Sequence, residues 1–157
     1  MAPFTMRYHF ISIGGSVMHQ LALQLHQQGH TVTGSDDVIH DPAHSRLKQA
    51  GLLPEAMGWQ PERLTPEVEV VVLGMHAKAD NPELKRAQEL GLTIRSFPEM
   101  VRELSANKQR VVVAGSHGKT TVTSMLLHVT RKMGLDFDYM LGATPAPDQP
   151  NLRLGTK

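Results

Sequence analysis

Between residues 111 and 121 the chain reads "VVVAGSHGKTT", a β-branched run passing through two glycines into a lysine and two threonines. That grouping suits the holding of phosphate. Gly115 and Gly118 let a backbone turn its N–H groups inward, and a helix starting beside them adds the positive end of its dipole. Lys119 is placed to reach the outer phosphates of a nucleotide, and the Thr120 hydroxyl to ligate a Mg²⁺ ion bridging them. Thr121 adds a second hydroxyl in the first helical turn. Against the general pattern G-x-x-x-x-G-K-[ST], Val113 stands where the first glycine belongs. The bland alternative is a glycine-turned junction with a lysine beside it by chance. Strand, loop and helix all fall where the mechanism needs them, which argues against that alternative.

A second glycine turn lies in "ISIGGSVM", residues 11–18. Against the dinucleotide fingerprint G-x-G-x-x-G it offers Ser12, Gly14 and Val17, so one glycine of three matches. A nicotinamide-binding module is therefore a weak alternative. A diphosphate could still rest on the amides of Gly14, Gly15 and Ser16 at a helix start. Asp36 or Asp37 falls where an acid contacts a ribose in such folds, the alternative being a plain surface turn in "GSDD".

The elements that must position these residues follow one rhythm. "YHFISI" (8–13) reads as a buried strand. "SVMHQLALQLHQQG" then reads as a helix capped by Ser16 and stopped at Gly29. "HTVTGSDD" is a second strand, a helix covers 42–50 up to Gly51, and "VEVVVLGM" (68–75) is a third strand. "NPELKRAQELG" is a helix with Asn81 as cap and Pro82 at its first position. "LTIRS", "FPEMVRELSA", "RVVVAG", "KTTVTSMLLHVTRKMG" and "FDYMLG" continue as strand, helix, strand, helix, strand. Alternation of this kind predicts an α/β fold: a Rossmann-like, doubly wound parallel sheet, with ligands at the carboxyl ends of its strands. The polar segment "SANKQ" (105–109) divides the chain into 1–106, a complete α/β domain, and 107–157, the start of a second. The proline-rich tail "ATPAPDQPNLRLGTK" predicts no packed element.

Composition narrows the function. The chain has 157 residues, enough for one domain and a piece of another, and its net charge of +1 gives no case for nucleic acid or a membrane surface as partner. It has no cysteine, which excludes disulfides and thiolate chemistry. No signal peptide or membrane-length apolar run is present, so a cytoplasmic location is expected. Among nine histidines, His26, His30 and His128 read as surface or packing residues. His76 follows a buried strand end and is as fit to be a ligand as to be surface. The methionines read as core filler and Trp59 as a packing anchor.

Together the two loops resemble those of the Mur ligases, which build the peptide stem of peptidoglycan. "GSHGKTT" is similar to that family's own phosphate loop, G-T-x-G-K-T-T, which accounts for the absent first glycine and leaves Ser116 in place of a threonine. "HFISIGGSVMHQLA", "GHTVTGSDD" and "NPELKRAQELGL" resemble the UDP-binding domain of the branch using UDP-N-acetylmuramic acid. Ser12 and Val17 replace glycines common in its alanine-adding members. "VTGSDDVIHDPAHSRLKQAGL" and "FDYMLGATPAPDQPNLRLGTK" look more like the member that recycles a tripeptide, with the alanine-adding activity as the alternative.

The resemblance implies ATP and Mg²⁺ as cofactors and UDP-N-acetylmuramate with an amino acid or peptide as substrates. They would be joined through an acyl phosphate. It implies that Gly115, Ser116, His117, Gly118, Lys119, Thr120 and Thr121 hold ATP, with Lys119 catalytic and Thr120 on Mg²⁺. Gly14, Gly15, Ser16, Ser35, Asp36, His76 and Asn81 would line the UDP-sugar site. In that family a metal-binding acidic segment and further domains follow the position of "RLGTK". The expectation is thus of an N-terminal part able at most to bind the UDP-sugar and inactive by itself.

Overall fold

The computed structural model describes residues 5–142 and 150–155. They fall into two compact units, Met1–Ala106 and Asn107–Lys157. The first unit runs β1 (Arg7–Ile11), α1 (Met18–Gln27), β2 (Thr31–Ser35), α2 (Ala43–Gln49), β3 (Val70–Leu73), α3 (Pro82–Glu89), β4 (Thr93–Ser96) and α4 (Phe97–Leu104). Its four strands form one parallel sheet in the order β2-β1-β3-β4.

Consecutive side chains of a strand point to opposite faces. Tyr8, His9, Phe10 and Ile11 of β1 are all buried, as are Val70, Val71 and Val72 of β3, so both faces of the sheet are covered. On one face Ile11 and Val71 pack with Leu64, Val68, Leu84 and Ala87, and Trp59 lies against this cluster. Packing is the part expected of that tryptophan.

Helix ends follow the local chemistry. Gly29, Gly51 and Gly91 all take left-handed backbone where the sequence placed helix stops. The Asn81 side chain accepts the amides of Glu83 and Leu84, and Pro82 follows at the first helical position. Ser96 caps α4 in a reciprocal pair with Glu99. The expected cap position shifts by one residue: α1 begins at Met18, with Val17 rather than Ser16 at its N-cap. Met18 and Met100 are core residues, but Met57, Met75, Met125, Met133 and Met140 are exposed, so filling the core accounts for only part of the methionine content.

The second unit contains α5 (Lys119–Lys132), β5 (Tyr139–Met140) and β6 (Leu152–Arg153). Two sequence expectations fail here. The run "RVVVAG" is not a strand, and Val111 and Val112 are 77% and 82% exposed. β-propensity alone does not make a strand, because its amides and carbonyls need a ladder partner. Among the described residues the only sheet in this unit is the β5–β6 pair. The second failure is in the tail, where Leu152–Arg153 pairs antiparallel with Tyr139–Met140 and Asn151 and Leu152 are buried. Charge holds that pairing: Arg153 donates to Asp136 at 2.7 Å and to the Phe137 carbonyl at 3.0 Å, and Lys108 is ion-paired with Asp138. Residues 143–149 of the tail lie outside the described residues.

Loss of the α3 cap tests this account. Asn81→Ala leaves the amides of Glu83 and Leu84 without their acceptor and should cost about 1 kcal/mol of stability, read as a lower denaturant midpoint at unchanged slope.

Candidate functional site

The carboxyl ends of β1, β2 and β3 meet in a knot of close backbone contacts. The chain visits β2 on one side of β1 and then β3 on the other, so the topological switch point lies between β1 and β3. At the end of β1, Ser12 turns left-handed with φ 68°. The amides of Ser12 and Ile13 both donate to the Ser35 carbonyl at the end of β2, at 2.9 and 3.1 Å. Gly74, at the end of β3, donates to the Ile11 carbonyl at 3.0 Å. A Cβ on Gly74 would lie 2.8 Å from the Ser12 Cβ, and one on Gly34 would lie 2.8 Å from the Phe10 carbonyl oxygen. Only glycine fits at these two positions.

Within the turn the amides are already engaged. Gly14 donates to the Asp36 carboxylate (Oδ2) at 2.7 Å and Gly15 to the Ser12 carbonyl at 3.3 Å. Asp36 is buried and also receives the Asp37 amide at 3.0 Å. Its backbone carbonyl accepts the Gly58 amide at 2.7 Å. Burial pushes its carboxyl up to about 6, against the pull of the Gly14 amide. The exposed Asp37 carboxyl is held below its usual range by its hydrogen bond with Asp36. Asp36 is thus placed to shape the turn.

Ser16 is exposed at the mouth of the turn and His76 is exposed in the loop after β3, whereas Ser35 and Asn81 are buried. The Asn81 side-chain oxygen caps α3, so Asn81 acts on the site through that helix. Beneath the site is a buried polar pair that sequence reading missed. His9 joins the Thr33 hydroxyl, at 2.9 Å, to the Glu83 carboxylate, at 3.3 Å, and Glu83 also accepts the Gln60 amide at 2.6 Å. Burial pushes the Glu83 carboxyl up, but His9, the neighbouring Ser35 hydroxyl and the Gln60 amide outweigh it and hold the group low. The Ser35 hydroxyl itself makes no hydrogen bond of good geometry. A second missed residue is His19, whose Nδ1 lies 2.8 Å from the Gly15 carbonyl oxygen. Its i, i+4 spacing from the glycine turn was the available signal. Burial, more than the nearby Arg46, holds its ring below the usual imidazole range in spite of that bond.

In the second unit the phosphate-loop sequence opens α5. Gly118 takes the left-handed conformation, φ 77°, immediately before the helix. The Lys119 ammonium reaches back across the loop and donates to the carbonyls of Gly115, at 2.5 Å, and Ser116, at 3.1 Å. Ser116, His117, Thr120 and Thr121 are exposed around it. A lysine spanning the loop, a glycine-only turn and hydroxyls in the first helical turn form a donor set that fits a nucleotide phosphate with its Mg²⁺ ion.

A parallel, Rossmann-like α/β unit with a glycine turn at its switch point, on one chain with a lysine-bearing loop at a helix start, defines a nucleotide-handling class of fold. The family model described as "Mur ligase family, catalytic domain" matches residues 7–109. The chain belongs to the Mur ligase family. It is 38% identical over 149 residues to the UDP-N-acetylmuramate–L-alanine ligase of Sulfurihydrogenibium sp. (strain YO3AOP1), a match covering 95% of this chain and 32% of that relative. The chain thus spans about a third of the length of such curated relatives. Among solved structures, it matches the UDP-N-acetylmuramate:L-alanyl-gamma-D-glutamyl-meso-diaminopimelate ligase from Neisseria meningitides with a TM-score of 0.82 at 31% identity, covering 96% of this chain and 47% of that one. It matches the UDP-N-acetylmuramate-alanine ligase of Thermotoga maritima with a TM-score of 0.79 at 25% identity, over 96% and 35% of the two chains.

The Asp36 carboxyl gives a signed pH effect. The folded chain keeps that proton up to about pH 6, whereas the unfolded chain releases it near 3.8. Its contribution to stability is therefore fullest below the unfolded value and is lost as pH rises through the folded one. Asp36→Asn keeps an acceptor for Gly14 and removes the titration. The stability of wild type relative to this variant should fall by on the order of 2 kcal/mol between pH 4 and 7, measured by denaturant melts.

Proposed function

We propose that this chain provides the UDP-sugar-binding domain (1–106) and the beginning of the ATP-binding domain (107–157) of a cytoplasmic, ATP-dependent amide ligase. The ligase joins UDP-N-acetylmuramate to an amino acid or peptide. The observation that carries the reading is the pairing, in a member of this family, of a glycine turn at the β1/β3 switch point with a GKTT loop opening α5. When bound, ATP would supply the phosphoryl group that turns the muramate carboxylate into an acyl phosphate, with ADP as leaving group, and an attacking amine would then displace inorganic phosphate. Lys119 neutralises charge on the outer phosphates, the Thr120 hydroxyl ligates Mg²⁺, and the backbone of Gly115, Ser116, His117 and Gly118, with Thr121, frames the phosphate chain.

In the first domain Gly14, Gly15 and Ser16 form the diphosphate turn, Ser35, Asp36 and Asn81 hold its surroundings in shape, and His76 is a ligand from the β3 loop. The tripeptide-adding ligase is the favoured parent, supported by the TM-score of 0.82 and 31% identity to the Neisseria meningitides structure. The alanine-adding reading has its own support in the 38% identity to the Sulfurihydrogenibium relative.

Calorimetric titration tests this. UDP-N-acetylmuramate should bind saturably, ATP–Mg²⁺ should bind more weakly to Lys119→Ala than to the wild type, and NAD⁺ should not bind. NAD⁺ binding in place of the UDP-sugar would overturn the reading.

A further inference from the structure

Ser12 follows the last residue of β1 and, among the described residues, is the non-glycine with a positive φ, 68°. An L side chain is strained there, and glycine would take the same backbone freely. The serine also constrains the neighbouring strand. Gly74, at the end of β3, must go without a side chain, since a Cβ on it would lie 2.8 Å from the Ser12 Cβ and 3.4 Å from its hydroxyl oxygen. A serine at this position is therefore unfavourable in two places. Packing does not account for it. The side chain is half-buried, and its hydroxyl makes no hydrogen bond among the described residues.

What the position offers is a donor at the switch point. The Ser12 side chain lies against Gly74, so it stands between the ends of β1 and β3, where a sheet of this kind takes its ligand. In a glycine turn the main-chain amides ordinarily face the phosphates. Here four successive amides are turned to the protein instead. Ser12 and Ile13 donate to the Ser35 carbonyl, Gly14 to the Asp36 carboxylate and Gly15 to the Ser12 carbonyl. Between residues 12 and 15 the uncommitted donor is the Ser12 hydroxyl. A hydroxyl can rotate its O–H toward an anionic oxygen, and bonds of that charge-assisted kind are strong.

We propose that Ser12 is a binding residue of the switch-point crevice, its hydroxyl donating to a diphosphate oxygen of the UDP-sugar. It takes the part that main-chain amides play in a glycine-only turn. The surroundings hold its strained backbone, the amide on Ser35 and the carbonyl under the Gly15 amide. This rests on the UDP-sugar reading above.

The test titrates UDP into the full chain and into Ser12→Gly and Ser12→Ala, with denaturant melts of each. Glycine removes the hydroxyl and the strain together, whereas alanine removes the hydroxyl and keeps the strain. UDP affinity should fall roughly 10-fold in both variants. The melts should separate them, with a higher midpoint than wild type for Ser12→Gly and no rise for Ser12→Ala. A serine with a structural role alone would leave the glycine variant binding at least as well as wild type. Wild-type affinity in either variant overturns the role of Ser12. A folded wild type that does not bind UDP at all instead overturns the UDP-sugar reading itself.

Discussion

Everything at the candidate site depends on how closely three strand ends approach one another. Main chain meets main chain at the ends of β1, β2 and β3, leaving no room for a Cβ at Gly34 or Gly74. A Cβ on Gly14 would likewise lie 2.9 Å from both Asp36 Oδ2 and Ile39. With the backbone so near, the Ser35 carbonyl can take two amides from the residues after β1, and the turn tightens around it. The position of α1, and so of any anion at its start, follows from that contact. The buried His9–Glu83 pair serves the same end from below, tying β1 and β2 to the first turn of α3 and to the Gln60 amide. Breaking one partner of such a pair strands the other in the core, which makes the arrangement an all-or-none one.

Much of the first unit was legible because its signals are local. Helix stops at Gly29, Gly51 and Gly91, the Asn81–Pro82 start and the apolar runs of β1 and β3 each depend on a few neighbouring residues. The parallel α/β class follows from their alternation. What escaped reading depends on partners distant in sequence. Nothing local says that Ser12 will take a glycine-like conformation, that His9 will meet Glu83, or that Asp36 will turn its carboxylate onto Gly14. The Asp36 position was identified from spacing, but its geometry makes it a support for the turn.

The second unit shows the converse. Its loop chemistry was readable in "GSHGKTT", since lysine, glycine and threonine act within one turn. Of its strands only the one read in "FDYMLG" appears, as β5, because strand formation is a property of pairs. The valine run before the loop has the composition of a sheet centre and lies exposed, while the proline-rich tail supplies a strand through Leu152 and Arg153.

That exposed run has a colloidal consequence. A short β-prone segment whose hydrogen-bonding groups lack a ladder can template pairing with another copy of itself, and aggregation starts at such edges. Lys108 and Arg110 flank the valines on one side and Gly115 follows on the other, charges and a breaker that keep any such pairing short. Along α5 Val122, Met125, Leu126 and Val129 add further exposed apolar surface. Solutions of this chain are therefore most prone to cloud with rising concentration and salt, as the flanking charges are screened and the valines are left to find one another.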